Sequence, residues 1–193
     1  MKLVFATNNQ HKFQEINKKL ENKIELLSLN DLDFHDEIPE SHETIEENAK
    51  EKAQFIYNRY HINCFADDTG LEIDALNGRP GVYSARYAGE TCSFEDNMKK
   101  VLLEMTGISN RKAKFRTIIA LVEEGNTHYF EGIVHGNILG SPRGHEGFGY
   151  DPVFQPEGFD KTFAEMTLHD KNKISHRALA LNKLIEYLNN KKQ

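Results

Sequence analysis

The spacing of apolar residues changes several times along this chain, and each change marks an element. Leu3-Val4-Phe5-Ala6 is a short continuous apolar run, the pattern of a buried strand. Thr7-Asn8-Asn9-Gln10 then offers capping side chains, and Phe13, Ile16 and Leu20 recur at helical spacing. Ile24 to Leu27 predicts a short strand. Residues 31 to 47 are acidic and aperiodic, and they end on Thr44-Ile45-Glu46-Glu47, a capping-box pattern. From there Ile45, Ala49, Ala53, Ile56 and Tyr60 keep helical spacing.

A strand over 63–67 leads into Asp67-Asp68-Thr69-Gly70, and Leu71 to Leu76 reads as a second extended piece. Ser93-Phe94-Glu95-Asp96 opens another helix, reaching about Met105. Phe115 to Val122 and His128 to Leu139 are the longest strand candidates, joined around Glu124-Gly125-Asn126 as a hairpin. Residues 140–161 are rich in Gly and Pro and predict a long loop region. Ala178, Leu181, Leu184, Ile185 and Leu188 form the stripe of a C-terminal helix. Helices interleaved with strands, together with an antiparallel hairpin, predict an α/β fold with a mixed sheet and helices packed on it. No repeat, low-complexity tract or proline-rich linker interrupts residues 1–193, so we expect one domain.

The 24 Lys and Arg stand against 30 Asp and Glu, a formal net charge of −6, which argues against a surface that coats nucleic acid. A small phosphate ligand needs only a few cations placed locally. Two cysteines, Cys64 and Cys92, make no C-x-x-C pair and no disulfide framework, in keeping with a reducing cytosol. No stretch approaches the length of a membrane span, and the run at Leu3 is too short for a signal peptide. We therefore expect a soluble cytoplasmic protein.

Six segments carry candidate chemistry. Asp67-Asp68-Thr69-Gly70, at the end of an apolar run, offers hard oxygen ligands where a Mg²⁺ ion and a phosphate meet; the same pattern also makes an ordinary turn. Thr7-Asn8-Asn9-Gln10-His11-Lys12 joins a strand to a helix, where free N–H groups and the positive dipole end attract an anion that Lys12 would help hold; a plain cap with a solvated lysine fits equally. Asn48 and Lys52 share a helix face, and Glu40, just past Pro39, is within reach of a metal on Asp68 among carboxylates that mostly read as solvated surface. Gly147-Phe148-Gly149-Tyr150-Asp151-Pro152 lets backbone and ring approach a flat ligand, or is simply a glycine-rich turn. Ser84 and Arg86, in Gly78 to Tyr87, offer donors to phosphate or pack as a structural turn. Lys171 and Ser175-His176-Arg177 place cations at the opening of the last helix, where they need a partner. No zinc spacing and no G-x-S-x-G elbow occur.

Taken in order, Ala6-Thr7-Asn8-Asn9 with Lys12, Phe65 to Glu72, Pro80 to Gly89, Gly147 to Pro152 and Ser175-His176-Arg177 resemble the inosine/xanthosine triphosphate pyrophosphatases, also called XTP/dITP diphosphatases. The resemblance runs from about residue 1 to about residue 188. It implies Mg²⁺-dependent hydrolysis of deaminated purine nucleotides (ITP, dITP, XTP) to monophosphate and pyrophosphate. It also implies an elongated mixed sheet flanked by helices, two lobes around a central nucleotide cleft, and a homodimer. Carried over by position, Thr7 to Lys12 (Thr7, Asn8, Asn9, Gln10, His11, Lys12) would bind phosphates. Asp68 would hold metal and accept a proton, with Thr69 contacting substrate beside it. Phe148, Gly149, Tyr150, Asp151, Lys171, His176 and Arg177 match substrate-binding positions; donors from Arg177, His176 or loop amides would read the C6 oxygen of the base. Glu40 aligns with a second metal ligand and Lys52 with a lysine near the phosphates. A Maf-type nucleotide pyrophosphatase and a non-catalytic nucleotide-binding module are the alternatives.

Overall fold

A computed structural model describes residues 2–20 and 24–191. The chain opens with β1 (Lys2–Phe5), α1 (Gln10–Leu20), β2 (Glu25–Leu27) and α2 (Ile45–Tyr60). It continues through β3 (Cys64–Ile73), β4 (Pro80–Gly81), α3 (Phe94–Glu104), β5 (Lys112–Glu123) and β6 (Asn126–Ile138). It closes with β7 (Phe154–Pro156), α4 (Leu168–Ile174) and α5 (His176–Asn190). The strands hydrogen-bond in the order β2-β1-β3-β5-β6-β7, with β4 on β3. β1 runs parallel to β2 and to β3, while β3/β4 and β6/β7 are antiparallel, so the sheet is mixed as expected. Among the described residues no helix is long and apolar enough to cross a membrane.

The fold divides into two compact units, each assembled from separated stretches. The first comprises Met1–Asp68, Thr117–Gly132 and Arg177–Gln193; the second comprises Thr69–Arg116 and Ile133–His176. β3, β5 and β6 each give residues to both, which is why no composition shift along the chain announces the division. The core of the first unit gathers Leu3 and Phe5 of β1, Ile16 and Leu20 of α1, Phe65 of β3, and Leu181, Leu184 and Leu188 of α5. Phe5 and Phe65 stack with centroids 4.7 Å apart. The second core gathers Leu71 and Ile73 of β3, Val101 of α3, Phe115 of β5, Ile138 of β6 and Phe154 and Phe163.

Helix starts follow the capping chemistry read from the sequence. Asn9 Oδ1 accepts from the Lys12 N–H, Thr44 caps α2, and Ser93 with Asp96 forms a full capping box on α3. The β5–β6 turn places Glu124 and Gly125 at φ +50° and +81°, the two positive angles of a tight two-residue hairpin. Three expectations are corrected. The strand does not stop on the aspartates: β3 runs on through Gly70 to Ile73, absorbing most of the second extended piece, and Asp74–Leu76 is a 3₁₀ turn. The aspartates stay inside a strand because cations remote in sequence neutralise them. Residues 140–161 are not all loop, since β7 pairs with the end of β6. A seven-residue helix, α4, capped by Thr167, precedes the C-terminal one; its single turn or two was too short to show a period.

Candidate active site

In the first unit, the buried Glu15, Asp67 and Arg177 and the half-buried Lys12 form a neutral network centred on Asp67. Lys12, from the third residue of α1, lies 3.1 Å from one oxygen of Asp67. Arg177, at the start of α5, donates its Nε to the other at 3.0 Å and its Nη1 to Glu15 at 2.5 Å. Two cations meet two carboxylates, so the burial of each charge is compensated. Burial works against ionisation of Asp67, but Lys12 and Arg177 hold its carboxyl well below the usual range. Burial and the neighbouring Lys52 and Arg177 charges lower the Lys12 ammonium despite Asp67.

Asp68, the next residue, meets different surroundings. Its Oδ1 lies 3.4 Å from the Lys52 ammonium, and its buried Oδ2 has no hydrogen-bond partner among the described residues. Burial pushes the Asp68 carboxyl up against the pull of Lys52 and Lys12. Lys52 donates a short hydrogen bond to Glu40 as well, so the two carboxylates share one ammonium. Burial would lower Lys52, yet Asp68 and Glu40 hold it above its ordinary value. A strand therefore presents two adjacent aspartates in opposite states, one locked as an anion and one inclined to take a proton.

The loop Thr7 to Gln10 borders a hollow of about 170 Å³ in the same unit, closed on its other side by Phe13 and Ser28-Leu29-Asn30. Thr7 Oγ1 accepts from the Asn9 N–H, and Asn8 reaches the Asp36 carbonyl at 3.4 Å. His11 is exposed on the first turn of α1. Of the first-unit residues expected at a site, Lys52 thus joins Glu40 and Asp68, and Lys12 is paired to the adjacent Asp67.

In the second unit, Lys171 and Asp151 make a buried ion pair at 2.7 Å, each side chain 4 % exposed. The same Asp151 oxygen accepts the Phe148 N–H at 2.9 Å. The Lys171 ammonium lies 5.1 Å from the centre of the half-buried Phe148 ring. Tyr150 is buried and donates to the Ser84 carbonyl at 2.8 Å, and burial pushes its phenol up. His176 is 3 % exposed, its ring stacked on Phe115 at 4.5 Å. Thr69 begins this unit on β3 and is half-buried, and Gly149 takes φ +64° with open space where a side chain would stand.

Arg177 is 3 % exposed, with its Nε donating to Asp67 and its Nη1 to Glu15. Asp151 accepts from Lys171 and from the Phe148 N–H. Glu15 was missed altogether. Its one sequence signal is a carboxylate at the edge of the Phe13-Ile16-Leu20 stripe.

The donor set is one a divalent cation would accept. Asp68 Oδ2 is a buried carboxylate oxygen with an open lone pair, and Glu40 shares a cation with Asp68. Among the described residues no three His, Cys, Asp or Glu side chains gather as a cage. Mg²⁺ needs no such cage, since it is commonly held by one or two carboxylates, water and substrate phosphates.

Known proteins resemble this chain over nearly its whole length. The sequence model of the Ham1 family matches residues 3–187. A protein of Flavobacterium johnsoniae named dITP/XTP pyrophosphatase is 52 % identical over 188 residues, 97 % of this chain and 98 % of that one. A Bacillus subtilis protein of the same name is 47 % identical over 189 residues, 96 % of each chain. The solved Ham1 protein of Staphylococcus aureus superposes with a TM-score of 0.89 at 36 % identity, covering 99 % of this chain and 100 % of that one. The Ham1 protein of Coxiella burnetii gives 0.90 at 36 % identity, covering 98 % and 99 %.

Proposed function

The chain belongs to the Ham1 family, and we propose that it hydrolyses noncanonical purine nucleoside triphosphates (ITP, dITP and XTP) to the monophosphate and pyrophosphate, with Mg²⁺. Relatives matched over nearly their whole length bear the name dITP/XTP pyrophosphatase, which supports this reading above a Maf-type enzyme or a binding module without chemistry. The observation that carries it is the separation of Asp67 from Asp68. A buried carboxylate with raised proton affinity, one open oxygen and a lysine alongside is suited to accept a proton from an attacking water.

Asp68 and Glu40 would hold the metal. Mg²⁺, when bound, supplies charge neutralisation and polarisation of the phosphoryl oxygens. Asp68 takes the water proton as the oxygen attacks the α-phosphorus. Lys12 and Lys52 offset the charge that grows on the departing pyrophosphate. Asp67, fixed as an anion by Arg177, keeps Lys12 in place and balances it between turnovers. The N–H groups opening α1 offer the triphosphate a positive helix end. On the base side we assign stacking to the half-buried Phe148, whose loop is pinned by Asp151 and Lys171. Residence in the cytoplasm and action as a homodimer complete the reading.

The test is Mg²⁺-dependent pyrophosphate release from ITP, XTP, dITP, ATP and GTP, in parallel with Asp68→Asn. Release from the deaminated purines, lost in the variant, is the expected result. Orthophosphate in place of pyrophosphate, or equal turnover of ATP, would overturn it.

A further inference from the structure

Glu40 stands on a stretch with no regular structure between Phe34 and Thr44, and its side chain is 36 % exposed. The segment is rich in carboxylates and lies against a helix whose first turn carries Glu46 and Glu47, so its charges repel one another. Something must nevertheless hold it where Glu40 meets Lys52. Three consecutive residues of the segment are gripped by one face of α2. Glu40 pairs with Lys52. The Ser41 N–H and hydroxyl both donate to Glu51, at 2.9 Å each. The His42 N–H donates to Asn48 Oδ1 at 2.9 Å, and Asn48 Nδ2 donates back to the His42 carbonyl at 3.1 Å. The His42 ring adds a looser approach to Glu51 at 3.8 Å.

Of these grips Asn48 is the most buried, at 1 % exposed against 5 % for Lys52, and both ends of its amide close on the backbone of a single residue. A planar group with one donor and one acceptor copies the pairing of an adjacent strand. A carboxylate would lack the donor and an aliphatic side chain would lack both. Burying such a group is favourable only while both bonds are made, so the helix accepts the segment in one register.

We infer that Asn48 is the positioning residue for the Glu40 carboxylate, setting through His42 where that carboxylate stands over Lys52 and Asp68. The inference rests on the proposed Mg²⁺-dependent reaction. Asn48 acts through two residues of backbone.

The test has two arms. In nucleotide-free protein, NMR exchange of the His42 amide should quicken by about tenfold in Asn48→Leu, while amides in the middle of α2 keep their protection. In the enzyme, the Mg²⁺ concentration for half-maximal pyrophosphate release is measured in wild type, Asn48→Leu, Glu40→Gln and the double variant. Asn48→Leu should raise it by about tenfold, and on the Glu40→Gln background it should raise it no further. An unchanged His42 exchange, an unchanged Mg²⁺ requirement, or multiplied effects in the double variant would each overturn the inference. Should Asn48→Leu fail to fold, Asn48→Ala takes its place in both arms. Wild-type protein that releases no pyrophosphate overturns the proposed reaction itself, and the His42 arm then still decides whether Asn48 holds the segment.

Discussion

Asp67 and Asp68 are neighbours on β3, yet Asp67 is paired to Lys12 at 3.1 Å and Arg177 at 3.0 Å, while Asp68 keeps a buried oxygen with no hydrogen-bond partner among the described residues. The two isosteric substitutions should therefore behave as opposites. Asp68→Asn removes the proposed proton acceptor and should lower turnover by about 10²–10⁴-fold. It also removes a charge that burial disfavours, so its melting temperature should equal or exceed that of wild type. Asp67→Asn leaves Lys12 and Arg177 facing an amide and should cost about 3–5 kcal/mol, lowering the melting temperature by about 10 °C. Calorimetry and pyrophosphate assays on both variants check this; a destabilised Asp68→Asn would contradict it.

Linkage gives the same pair a signature in pH. Asp67 has a depressed carboxyl, so its stabilisation is present above the ordinary aspartate value of 3.8 and is lost as pH falls through its folded value. Asp68 is raised, so its contribution runs the other way and fades as pH rises through its folded value. Acid titration of stability should show a weaker loss below pH 4 in Asp67→Asn than in wild type, measured by denaturant unfolding at each pH.

Arg177→Ala should act first as a lesion of stability. It strands Glu15, 6 % exposed, and Asp67, 1 % exposed, with one cation between them. A loss of about 3–5 kcal/mol is expected, and Glu15→Gln in the same chain should restore part of it, because one uncompensated charge is then gone. A denaturation cycle over the four forms measures the coupling, and additive losses would remove the network from the account.

The periodic elements were legible because their signals are local. Apolar spacing and caps suffice for α1, α2, α3, α5 and the β5–β6 hairpin. The aspartate pair was legible as chemistry but misplaced as a strand end, because the partners that let two carboxylates sit mid-strand lie 55 and 110 residues away. Glu15 was invisible for the same reason, its partner being 162 residues distant. Arg177 was found through the motif, and only the geometry reveals that its guanidinium faces inward. The assignment of Asp68 rather than Asp67 as proton acceptor came from resemblance; the charges around each are what the proposal adds to it.

Cys64 offers a test at the alkaline end. Burial pushes its thiol up to about 12 from 9.0. Below pH 9 both folded and unfolded forms keep the proton and stability is unaffected by this group. Between pH 9 and 12 the unfolded chain loses the proton first, so stability should fall by up to about 1.4 kcal/mol per pH unit. Cys64→Ala should flatten that slope in unfolding curves taken from pH 8 to 11. The half-buried Cys92 should react with a thiol reagent in the native protein, and Cys64 only after unfolding.

Gly147 is required by its neighbour as much as by its own backbone. It takes φ +76°, and a Cβ there would lie 2.0 Å from Asp151 Oδ2, the oxygen that accepts from both Lys171 and the Phe148 N–H. Gly147→Ala must displace that carboxylate, and a displaced Asp151 leaves Lys171, 3 % exposed, without its nearest counter-charge. The left-handed backbone alone costs about 1–2 kcal/mol for alanine, and breaking the buried pair adds about 3 kcal/mol. Phe148 loses its anchor in the same step, so nucleotide binding should weaken by more than about tenfold in KM while Asp68 and its proton transfer are untouched. Asp151→Asn separates the two contributions: it keeps an acceptor for the Phe148 N–H, relieves no clash, and should retain tighter nucleotide binding than Gly147→Ala. Equal KM values for wild type and Gly147→Ala would show that the pinned loop does not set nucleotide affinity.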